Sequence, residues 1–277
     1  MNHATRVLAA VLTLIPTALL AQGVIVAPTA VFIDHSTRSG SITLYNPGER
    51  PVEVTVSFGF GYPTTDSAGA ITVEVADSAP AGQPAATAWL QAFPRRVTVG
   101  QQERQTIRIL GSPPAGLPDG EYWARLIVGA KGGQVPVAGV PDSGAISVGL
   151  TLEVRTVIAV VYRKGALTTG VTLAPMTASY AQDTVSVRLP MTRTGTAAYI
   201  GTARLRVVDA RGATKAEDER ALGVYYTLDP RVDIPVGPLA PGSYKVYVTI
   251  SPDRADLPPK VPLPAAPVRD SVGFTVK

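Results

Sequence analysis

The chain has no cysteine, and only two histidines and two tryptophans among its 277 residues. Without cysteine there can be no disulfide, no thiolate nucleophile and no lipid-modified N-terminal cysteine. His3 lies in the N-terminal leader and His35 stands alone among Asp34, Ser36 and Thr37. A zinc site or a histidine-based triad therefore lacks its ligands. Charged residues make up 17% of the chain, both signs are interspersed and the net charge is +4, so no basic tract suited to nucleic acid stands out. There is no GxSxG elbow and no GxxxxGK[ST] phosphate loop. The run from Gly129 to Gly133 has the glycines of a phosphate loop but neither its spacing nor a following helix. Asp253 and Asp256 flank Arg254, which reads as a solvated turn rather than a cation site. The expectation is a protein that is not an enzyme and uses no cofactor and no metal.

What the chain has is apolar residues in short runs. Hydrophobic residues reach 45%, while 26 Gly and 25 Pro punctuate them. Arg6 precedes an apolar run from Val7 to Leu20 that closes on small residues up to Ala21. A basic start, an apolar stretch too short to span a bilayer and a small-residue end predict a secretory signal peptide over 1–21, and export to the periplasm. Stable membrane insertion is not expected.

After the leader, strand-like segments follow at short intervals. Val52, Val54, Val56 and Phe58 alternate cleanly, and Asn46-Pro47-Gly48 is a strong turn signal. Further runs are Ser41 to Tyr45, Thr106 to Leu110 and Tyr122 to Val128, then Val185 to Leu189, Thr202 to Val208 and Tyr244 to Ile250. Only Ala216 to Ala221 reads as a helical turn. Two successive sets of short strands predict an all-β protein of two antiparallel Ig-like β-sandwiches in tandem, over 22–162 and 163–277.

The longest run is Gly149 to Arg163. Leu150, Leu152, Val154, Thr156, Ile158, Val160 and Tyr162 take every second position and so share one face. Fully extended, the run is roughly 45–50 Å long, well beyond the usual strand. Two readings of its apolar row are open: it faces the protein's own core, or it serves a partner.

Several segments resemble the periplasmic chaperones of the chaperone–usher pilus pathway, the PapD-like proteins. They are Ala27-Pro28-Thr29-Ala30-Val31, Ser41 through Gly48, Trp89 through Pro94 with Gln105 through Ile109, and Leu117-Pro118-Asp119-Gly120-Glu121-Tyr122-Trp123. The long run ending in Tyr162-Arg163 is similar to the last strand of that family's first domain. The resemblance implies two Ig-like domains in a boomerang, and a strand that complements pilus or fimbrial subunits lacking one of their own, a form of β-strand addition. It implies Leu150, Leu152, Val154, Thr156 and Ile158 as subunit-binding residues. An outer-membrane usher becomes an expected further partner, and self-association through the same exposed edge an expected state of the free protein.

In the family an Arg and a Lys anchor the subunit's C-terminal carboxylate. Here the Lys position falls on Ala159 and the Arg position near Ala27 or Pro28, so both charges are missing. Either Arg155, Arg163 or Lys164 takes over the anchoring, or the partner is not held by its terminus. The family's interdomain Glu–Arg–Asp cluster matches Glu121 and Arg163, with Asp253 as the third expected member; the bland reading is three unrelated surface charges. The alternative function is a structural or adhesive β-sandwich protein of a surface appendage or envelope complex.

Overall fold

The computed structural model describes residues 23–132 and 152–277. The expected signal peptide over 1–21, Leu150 and most of the Gly/Pro-rich connection that ends at Ala145 lie outside the described residues. Among those described there is no helix. The first eleven strands are β1 (Ile25–Ala27), β2 (Ala30–Asp34), β3 (Ser39–Tyr45), β4 (Val52–Gly59), β5 (Pro63–Thr65), β6 (Ile71–Val73), β7 (Leu90–Phe93), β8 (Arg96–Val99), β9 (Arg104–Gly111), β10 (Gly120–Lys131) and β11 (Glu153–Lys164). They form one sheet in the order β1-β3-β9-β7 and a second in the order β2-β11-β10-β4-β8, with β5 and β6 as a separate hairpin.

The alternation read from the sequence is what packs these sheets. Ile42 and Leu44 on β3, Ile107 and Ile109 on β9, and Leu126 and Val128 on β10 point inward and are at most 1% exposed. They form one core with Ile158, Val160 and Tyr162 of β11. Sheet faces about 10 Å apart interdigitate in this way when every second residue is apolar.

Asn46 closes one end of this sandwich. It is fully buried, its Nδ2 donates to the carbonyls of Arg50, Val99 and Gly100 (2.8, 3.1 and 3.0 Å), and its Oδ1 accepts from the Gly48 amide at 2.9 Å. Asn46→Ala strands buried acceptors and should cost about 3 kcal/mol. A urea midpoint unchanged from wild type would refute that role for Asn46.

The remaining strands are β12 (Thr169–Leu173), β13 (Thr177–Ala181), β14 (Thr184–Arg188), β15 (Met191–Gly195), β16 (Tyr199–Asp209), β17 (Thr214–Val224), β18 (Thr227–Leu228), β19 (Arg231–Pro235), β20 (Gly242–Ser251) and β21 (Val268–Val276). One four-stranded sheet, β17-β16-β20-β21, faces two three-stranded sheets, β12-β15-β18 and β13-β14-β19. A second core of Val187, Leu205, Val224 and Val246 lies between them. The helical turn expected over Ala216–Ala221 is corrected here. That segment is part of β17, paired along its length with β16 from Tyr199↔Val224 to Val207↔Ala216. Local helix preference over six residues is worth little against a continuous ladder and a Leu222 buried in the core.

A third apolar cluster joins the two sandwiches. Phe60, Trp123 and Val161 from the first meet Ala198 and Tyr225 from the second. Tyr62 stacks on Tyr225 at 6.0 Å and meets Tyr226 edge-on at 5.2 Å, while Trp123 meets Tyr225 edge-on at 4.7 Å. The β5–β6 hairpin also crosses over. Its tip carbonyl at Gly69 accepts from the Arg231 amide (2.9 Å), and Thr65 Oγ1 accepts from the Asp229 amide (3.1 Å). Gly69 has φ +86° and a backbone so close to Arg231 that a Cβ would lie 2.8 Å from the Arg231 nitrogen, so only glycine fits there.

Candidate strand-binding edge

Strand β11 is paired differently along its two sides. On one side it matches β10 throughout, from Glu153↔Lys131 to Lys164↔Gly120. On the other, β2 pairs in parallel only over Ala159↔Ala30 to Arg163↔Asp34. From Glu153 to Ile158 no described strand occupies that second side. Gly23, where the described chain begins, runs past Val154.

Burial along β11 follows this division. Val160 and Tyr162 are fully buried, whereas Leu152, Val154 and Val157 are 48%, 37% and 42% exposed. Leu152, Val154 and Thr156 continue the inward-facing parity beyond the point where the opposite sheet covers it. An edge of unpaired amides and carbonyls with apolar side chains on it is a template for another strand. Of the expected binding residues, Val154 and Thr156 sit on this edge, and Leu152 directly precedes it. Ile158, at 4% exposure, packs into its own core, and β2 begins its pairing with β11 one residue later.

The charged residues settle differently from expectation. Arg163 and Glu121 do meet, at 2.9 Å and almost out of solvent. Glu121 Oε1 also accepts from Trp123 Nε1 (2.8 Å) and from the Ala198 amide of the second sandwich (3.0 Å), and Arg163 Nη1 donates to Val261 O at 2.5 Å. This is an interdomain tie, but Asp253 is not its third member. Asp253 binds Ser251 Oγ (2.9 Å) and lies 3.7 Å from Arg204. The backbone carbonyl of Val261 takes the place foreseen for it.

The three cations expected to replace the missing anchor are each engaged within the chain. Arg155 pairs with Glu153 at 2.9 Å in solvent, Arg163 is held as above, and Lys164 pairs with Asp119 at 3.3 Å and donates to Leu117 O. Sequence reasoning missed Arg125. It is 8% exposed, on β10 directly across from Ala159, and its Nε donates to Gly61 O at 2.8 Å. Its guanidinium lies 5.7 Å from the Tyr225 ring centroid, and burial pushes the Tyr225 phenol above its ordinary pKa. An arginine amid strand-like apolar residues, Leu126-Ile127-Val128 following it, was the available signal.

No family model matches the sequence, and no curated protein matches it. Solved structures do. The chain is similar to the YadV chaperone, at 16% identity and TM-score 0.43 over 91% of this chain and 99% of that one. It is similar to the CsuC–CsuE chaperone–tip adhesion subunit pre-assembly complex from archaic chaperone–usher Csu pili of Acinetobacter baumannii (14%, TM-score 0.45, 90% and 97%). It is similar also to the Salmonella enterica complex of SafA pilin with the SafB chaperone (13%, TM-score 0.40, 90% and 96%).

Proposed function

We propose that this protein is a periplasmic chaperone that binds and stabilises pilus or fimbrial subunits by pairing them along the free edge of β11. The observation that carries this reading is the six-residue edge from Glu153 to Ile158, which no strand among the described residues pairs on one side, with Val154 exposed on it and Leu152 exposed just before it. A subunit short of one strand presents the complement, an open apolar groove with unsatisfied backbone groups. Joining the two satisfies both ladders and buries apolar side chains worth about 1.5–3 kcal/mol each when fully covered. The energy comes from pairing and burial, so neither catalysis nor a cofactor is required. In this reading residues 1–21 are a cleaved leader, 22–162 form the domain that carries the edge, and 163–277 form a second Ig-like domain. An outer-membrane usher receives the loaded complex, and two free chains pair through the same edge.

The test is co-expression of the full chain with candidate subunits. The wild type should co-purify as a 1:1 complex, with the amides of 153–158 that point away from β10 newly protected from hydrogen exchange. The Leu152→Asp/Val154→Asp double variant should lose the complex. Both side chains are exposed, so its own stability should stay within about 0.5 kcal/mol of wild type per substitution. Undiminished co-purification of the double variant would refute edge pairing.

A further inference from the structure

Three long strand edges are left unpaired among the described residues. One is the stretch of β11 from Glu153 to Ile158. The others are β17 and β21, 11 and 9 residues long, at the two ends of the four-stranded sheet of the second sandwich. Every other described edge strand has 5 residues or fewer.

The three long edges differ at their core-facing positions. On β17, Ala216, Asp218, Arg220, Leu222 and Val224 take every second position. Ala216, Leu222 and Val224 join the second core, but the two residues between them are charged. The ladder with β16 sets Asp218 opposite Leu205 and Arg220 opposite Ala203, both of which are at most 1% exposed. Arg220 Nε lies 2.7 Å from Asp218 Oδ2, and about half of the arginine side chain is still in solvent. On β21 the core-facing positions hold Val268, Val272, Phe274 and Val276, and the break in that row is Asp270, opposite the buried Val248. β11 instead presents Val154 and Thr156 at such positions, with Leu152 just before them. A charge at a core-facing position interrupts the alternation that builds a sheet, and such an interruption calls for a compensating gain.

We propose that Asp218 and Arg220 close the β17 edge to strand addition, as Asp270 closes β21, and so leave β11 as the edge that accepts a partner strand. A strand added beside β17 would cover the core-facing side of that edge and take the water from both ions. The attraction between two buried ions does not make up for their lost hydration. Position decides this, not charge alone. Glu217 and Glu219 lie on the outer face, where Glu219 pairs with Arg204 at 2.9 Å, and they would keep their water with a strand beside them. The cause lies in β17 and β21 themselves. The consequence, one partner strand per chain, rests on the edge-pairing reading of β11. With three receptive edges a single chain would hold partners in three places.

The experiment uses the full chain and a short synthetic strand of alternating valine and threonine with both ends blocked, followed by hydrogen exchange. The wild type should take up one strand, with new protection along β11 and none along β17 or β21. Asp218→Val/Arg220→Val should take up a second, the β17 amides that point away from β16 becoming about tenfold or more better protected. Asp270→Val should gain the same along β21. Asp218→Arg/Arg220→Asp, which keeps both charges at the edge, should behave as the wild type does. Unchanged exchange along β17 in the valine double variant overturns the proposal for that edge, and unchanged exchange along β21 in Asp270→Val overturns it for the other. Protection along β17 in the wild type or in the charge-swapped variant overturns it outright. No protection along β11 in any chain, with a gain along β17 in the valine variant, refutes edge pairing at β11 and upholds the closure of β17. Asp218→Thr/Arg220→Thr, with strand-forming residues that tolerate water, serves where the valine variant does not fold. It should open the edge in the same way, and an edge that stays closed in it overturns the proposal.

Discussion

Glu121→Ala should be among the most destabilising single substitutions in this chain, at about 3–5 kcal/mol. Glu121 is 3% exposed and accepts three hydrogen bonds, from Arg163 Nε, Trp123 Nε1 and the Ala198 amide. Removing it leaves the nearly buried Arg163 guanidinium without its counter-ion and two further donors without acceptors. The penalty is desolvation that nothing repays, which exceeds what the intact pair contributes. Because the Ala198 amide belongs to the second sandwich, the loss should also loosen the junction. Denaturant titration followed by tryptophan fluorescence, with solution scattering for the interdomain geometry, measures both effects. A wild-type midpoint with wild-type scattering would rule out this account of the tie.

Trp123→Ala should cost a similar amount, about 3–5 kcal/mol. Trp123 is 2% exposed and its ring meets Tyr62, Tyr225 and Tyr226 with centroids 5.9, 4.7 and 5.4 Å away. The cavity left behind lies between two sandwiches, so their separate cores should survive while their mutual orientation does not. The expected signature is lost interdomain order at low denaturant, ahead of global unfolding. Trp123→Phe should recover most of the packing but not the hydrogen bond to Glu121. Since the two residues share that bond, the double variant with Glu121→Ala should fall short of the sum of the singles. Additivity would show that the ring and the carboxylate act independently.

The strands were legible in the sequence wherever one face packs and the other does not, as in Val52 to Phe58 on β4. Strands with little apolar alternation were not. Pro63–Thr65 on β5 and Thr177–Ala181 on β13 carry no such pattern, and they exist because a neighbour offers a ladder. For the same reason β17 overrode the helical preference of its middle. Glu121 and Arg163 could be paired only through the family resemblance. That resemblance placed Asp253 wrongly, since which acceptor reaches Arg163 depends on the path of the chain near Val261.

The apolar row from Leu152 to Tyr162 was evident from alternation alone, because side-chain parity on a strand is a local property. Its division was not. Whether each member of the row faces its own core or an open edge depends on where β2, more than a hundred residues earlier, begins and ends its pairing. Likewise the absence of charge at Ala159 is a sequence fact, while the presence of Arg125 beside it follows only from the β10–β11 register. What the sequence determined by itself was an all-β chain, without cysteine, carrying one long run of alternating apolar residues. What the tertiary structure decided was which part of that strand stays unpaired and which cation stands at its end, because both depend on contacts between residues far apart in the chain.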